Sequence, residues 1–89
     1  EAGCLSAPLV VERQGRVTAA GGVFDEGALE LVWRDGAGAA LASVPLGPAD
    51  PLTHVALDRV ESVPHGAETV ALRLTPDGGA PLTLAEAKV

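Results

Sequence analysis

Eighty-nine residues with a formal charge of -6 and one cysteine make a single small acidic domain without an internal disulfide. The charge and the scattered placement of the five Arg and one Lys argue against a nucleic-acid partner, because phosphate binding relies on clustered cations. No apolar run approaches the roughly 20 residues that span a bilayer, so a soluble chain is expected.

A chain of this length buries only about two thirds of the surface its unfolded form exposes, so the core is modest. It is built from 12 Leu, 11 Val, Trp33 and Phe24. Ile, Asn, Tyr and Met are absent while Ala, Gly, Pro, Val and Leu abound, as codon bias in a GC-rich bacterial or phage genome produces. Without Met, the sequence is read as a processed protein, an excised domain or a chain whose first residues are omitted. Cys4, near the N-terminus, is read as an inert thiol; an intermolecular bridge or a lipid anchor are the sharper alternatives.

In chain order, residues 1–8 are expected to be a flexible tail or linker and residues 9–89 one β-sandwich domain. Leu9 to Glu12 reads as a short strand and Gln14-Gly15 as a turn. Arg16 to Ala20 continues as a strand, with Gly21 and Gly22 marking a bulge or a close backbone approach before Val23 and Phe24 resume it. The clearest unit is Gly27 to Leu46. Leu29, Leu31 and Trp33 alternate with Glu30, Val32 and Arg34 at the period of a half-buried strand. Asp35, Gly36 and Gly38 then turn the chain into a return arm, Ala40 to Val44, bounded by Pro45.

Two prolines make Gly47 to Pro51 a loop. Leu52 to Val63 satisfies two periods at once. Asp50 and Pro51 are an N-cap and a first helical residue, which favours a helix, whereas four β-branched residues favour a strand. Pro64, His65 and Gly66 make a turn. Thr69 to Thr75 is a clean strand with Val70, Leu72 and Leu74 inward, and Asp77-Gly78-Gly79 leads into a last strand headed by Leu82 and Leu84. The predicted core is Trp33, Leu29, Leu31, Leu57, Val70, Leu72, Leu74 and Leu84.

Six or seven short strands separated by turn signals, with no convincing helix, predict an all-β antiparallel sandwich. A strand ending in Trp33-Arg34-Asp35 and a Gly turn, a strand holding Leu57, the run Val63-Pro64-His65-Gly66-Ala67, an alternating strand and a last strand after a Gly-rich turn follow one another. In that order they resemble the C-terminal half of galactose-binding-like jelly rolls, the fold of many carbohydrate-binding modules. The resemblance covers about Gly15 to Val89, rests on structural motifs, and tips Leu52 to Val63 toward a strand. It implies a jelly-roll-like sandwich, with a smaller immunoglobulin-like sandwich as the fallback.

Chemistry-bearing motifs are sparse. Gly36-Ala37-Gly38-Ala39-Ala40-Leu41 lacks the helix and acidic residue of a dinucleotide loop and reads as a turn. His54 and His65 have no compact metal-ligand spacing. Ser6, Ser43 and Ser62 lack a nucleophile elbow. The expectation is therefore a non-enzyme without cofactor or metal. Its first functional reading is an assembly or interaction module of a virion, of tailed-phage type, or of another extracellular or cell-surface structure. Such a module pairs with protein partners or with itself through strand edges, with Leu5, Leu9, Val10 and Val11 as interaction residues. The alternative is glycan binding through Trp33 and Asp35, and it requires the indole to be exposed for stacking.

Overall fold

The computed structural model describes residues 3–23, 26–49 and 54–89; side chains at 3–8, 13, 22, 23, 49, 54 and 55 lie outside the description. Seven strands account for the fold: β1 (Gly3–Val11), β2 (Arg16–Val23), β3 (Gly27–Arg34), β4 (Ala40–Ala49), β5 (His54–Val60), β6 (Thr69–Pro76) and β7 (Leu82–Lys88). They form a three-stranded sheet, β1-β2-β5, and a four-stranded sheet, β4-β3-β6-β7, with every pairing antiparallel. In immunoglobulin-type sandwiches the first, second and fifth strands share one sheet and the third, sixth and seventh the other. This chain divides its strands the same way and places its fourth beside its third.

Period-two patterning builds the core. Leu29, Leu31 and Trp33 on β3 stand opposite Leu74, Leu72 and Val70 on β6, and all six are buried. Across the sandwich they meet Val17 and Ala19 of β2, Leu57 of β5 and Leu9 of β1. The predicted core holds except at Leu84, which is only partly buried. A register shift between Leu72 and Arg73 leaves Leu84 without an opposite residue on β6 and gives the inward positions of β7 to Ala85 and Ala87. Phe24 lies outside the described residues.

Several boundaries differ from expectation. The first strand starts at Gly3 rather than Leu9 and pairs with β2 along its length, with register shifts between Leu5 and Ala7 and between Ala7 and Val10. The irregularity expected at Gly21-Gly22 thus belongs to β1, while β2 stays in continuous register with β5. Gln14 and Gly15 do turn the chain, with φ of 67° and 81°.

The return arm of the hairpin does not stop at Val44: β4 runs through Pro45 and Pro48 to Ala49, so the first half of the expected loop is strand. Pro45 and Pro48 oppose Glu30 and Ala28, two residues apart on β3, because a bulge absorbs one residue between them. Both prolines therefore occupy the same ladder phase on an edge strand, where a missing N–H is tolerated. Residues 54–60 of the two-period segment are extended; Leu52 and Thr53 lie outside the description.

Candidate functional site

The sandwich has four outer strands, and they differ in how their backbones are protected. β1 and β7 approach each other and close one side of the sandwich. β4 carries two prolines and two register shifts against β3, which bend and interrupt its free edge. β5 has none of these devices. It pairs with β2 through seven consecutive residues, Arg16↔Val60 to Gly22↔His54, without a shift, and it contains neither Pro nor Gly. Among the described residues no strand occupies its other edge.

The charges on β5 are satisfied within the chain. The Arg16 guanidinium donates two hydrogen bonds to the Asp58 carboxylate, each of 3.0 Å, and also lies 3.7 Å from Glu12. The hydrogen bond and the charge of Arg16 hold the Asp58 carboxyl below its ordinary range, and the same pair raises Arg16. Arg59 pairs with Glu61 at 2.7 Å. Beside these neutralised pairs Ala56 is exposed, and Val60 is the most exposed large apolar residue among those described, at 72%. A backbone edge unbroken in register and flanked by apolar and internally paired residues is suited to accepting another strand.

The residues expected to mediate interaction are divided by the fold. Leu9 is buried in the core and Val11 packs against it, whereas Val10 points outward and is 40% exposed. The Leu5 side chain is outside the description, although its backbone pairs with Gly21. The segment from Gly3 to Val11 is thus a strand of the three-stranded sheet. The sequence does not show the β5 edge: the run His54 to Val60, free of Pro and Gly, marks a segment able to be a strand, but its free side comes from the pairing order β1-β2-β5.

A second feature lies at one end of the four-stranded sheet. A groove of about 570 Å³ is lined by Arg34, Asp35, Glu68, Thr69, Glu86 and Lys88, among others. Asp35 serves the hairpin turn: its Oδ1 accepts hydrogen bonds from the backbone N–H groups of Ala37 (2.9 Å) and Ala39 (3.0 Å). Trp33 has no exposed surface, and among the described residues its Nε1 has no hydrogen-bond partner, so it offers no face to a sugar ring. Among the described residues, no three His, Cys, Asp or Glu side chains cluster as metal ligands, and no helix is long and apolar enough to cross a membrane. Compared with protein-family models, curated proteins and solved structures, the chain matches none.

Proposed function

We propose that the chain is a non-catalytic interaction module, a structural component of a tailed-phage-type virion or another surface assembly, that associates with protein through the free edge of β5. The carrying observation is the contrast between strands: β4 is bulged and proline-bearing, while β5 is regular in register and internally charge-paired. Backbone pairing at such an edge needs no pocket and no perturbed nucleophile. Fractionation of the source material by native mass tests this reading. The chain is expected in a high-mass fraction, and a variant carrying Ala56→Asp and Val60→Asp, folded by circular dichroism, is expected to be released from it. Release failing in the folded variant overturns the reading.

Carbohydrate binding is the second reading, and the groove beside Asp35 favours it, since carboxylates, Arg34 and Lys88 there are hydrogen-bonding partners for sugar hydroxyls. With Trp33 buried, it would proceed without aromatic stacking. Glycan-array binding that is lost on Lys88→Ala but kept in the β5 double variant would establish it in place of the first.

A further inference from the structure

The geometry of β5 points to a specific occupant of its free edge, and we infer that it is β5 of a second copy, paired antiparallel about a twofold axis at Leu57. This rests on the edge-association reading above and names its partner. Directly opposed residues in an antiparallel pair point to the same face, so only registers that match outward with outward and inward with inward are allowed. Leu57 is inward, opposite Ala19, and Ala56, Asp58 and Val60 are outward.

The allowed registers differ in charge. Centred on Asp58, two carboxylates oppose each other; centred on Arg59, two guanidinium groups do. Centred on Leu57, all seven residues of β5 pair, Ala56 faces Asp58 of the other copy, residue 54 faces Val60, and no like charges meet. A shift to Ala56 also avoids like pairs but leaves Arg59 and Val60 unmatched. The Leu57 register is the one that uses the whole strand.

Pairing this way joins two three-stranded sheets into one of six strands, β1-β2-β5-β5-β2-β1, and is closed by its twofold symmetry. The interface is a single strand pair, at the low end of interface sizes, so association is weak. Each copy carries -6, so long-range repulsion opposes the contact and salt that screens it strengthens the dimer.

Sedimentation velocity on the full chain, from micromolar to millimolar concentration, tests the inference. The mass is expected to rise from 8.9 kDa toward twice that value, more readily at higher ionic strength. Two variants at exposed Ala56 read the register: Ala56→Glu places a carboxylate opposite Asp58 twice per dimer and lowers the association constant about tenfold, while Ala56→Lys places an opposite charge there and does not lower it. Circular dichroism confirms that both fold. A wild type that stays at 8.9 kDa at millimolar concentration overturns self-pairing. Equal effects of Glu and Lys at position 56 overturn the register. Failure of edge association itself is read separately, from the fractionation of the Ala56→Asp, Val60→Asp variant.

Discussion

Val32 and Ala71 stand directly opposite each other on β3 and β6 and are sealed from solvent, 0% and 1% exposed, although both lie on the face turned away from the sandwich interior. The next cross-strand pair on that face, Glu30 and Arg73, is joined by a part-buried hydrogen bond of 2.7 Å from Arg73 Nε to Glu30 Oε1. Long charged side chains cover apolar surface with their stems while their heads stay wet. The central strands therefore bury an apolar pair on their outer face as well, and the neighbouring Arg73 stem is expected to cover it.

Two substitutions separate patch from cover. Val32→Ala removes two buried carbons and is expected to cost about 2 kcal/mol. Arg73→Ala is expected to cost about 1 kcal/mol, chiefly by uncovering Val32 and Ala71, since partly exposed ion pairs contribute little by themselves. Urea denaturation followed by Trp33 fluorescence measures both. An Arg73→Ala midpoint equal to wild type would remove the covering role.

Trp33 is the largest fully buried side chain and carries an indole N–H with no acceptor among the described residues. Removing the ring altogether, Trp33→Ala, is expected to cost about 3–5 kcal/mol. Trp33→Phe leaves a smaller void and also removes the orphaned donor, whose burial alone costs about 1–3 kcal/mol, so a net loss of only about 1 kcal/mol is expected. Thermal unfolding by circular dichroism compares the two, and equal losses would show that the unpaired N–H carries no penalty.

Two glycines with positive φ give a contrast in steric cause. Gly38, at +85°, has open space around the position of a Cβ, whereas at Gly15, at +81°, an added Cβ would overlap the carbonyl oxygen of Glu61. That contact is close because Glu61 donates its N–H to the Gly15 carbonyl at 3.0 Å, tying the first turn to the end of β5. Gly38→Ala is expected to cost about 1 kcal/mol, the conformational term alone. Gly15→Ala should cost at least about 1 kcal/mol more, because backbone must move as well. Denaturation midpoints that coincide would contradict the steric argument.

These contrasts also show where the sequence was informative. β3 and β6 were legible because each alternates cleanly, Leu29-Leu31-Trp33 and Val70-Leu72-Leu74, and both are central strands whose inner face must be apolar. β1 was legible only from Leu9 onward, because two register shifts break its alternation. The extension of β4 through Pro45 and Pro48 depends on its lying at an edge, a relation between strands that no local pattern carries. The same holds for the β5 edge: His54 to Val60 shows a segment able to be a strand, but its free side follows only from the pairing order β1-β2-β5. Trp33 and Asp35 are the pair through which the sequence suggests glycan binding. The structure makes one core and the other the organiser of a turn.

The Arg16–Asp58 pair links β2 to β5 across 42 residues of chain and gives the acid side of the stability profile a local cause. Its hydrogen bonds and charge lower the Asp58 pKa in the folded state. A group whose folded pKa is depressed stabilises the fold fully above its unfolded value, near pH 4, and that stability disappears as the pH falls through the folded pKa and the carboxylate becomes protonated. Asp58→Asn removes the ionisable group and the charged half of the pair. The variant is therefore expected to be less stable than wild type at neutral pH, and the gap between them should close as the pH is taken below the ordinary carboxylate range. Both side chains are at least half exposed, so the gap is small and shrinks in high salt. Urea denaturation, which adds no ions, at pH 7 and at about pH 2 measures it. A difference between wild type and Asp58→Asn that is the same at both pH values would show that the pair does not contribute through its charge.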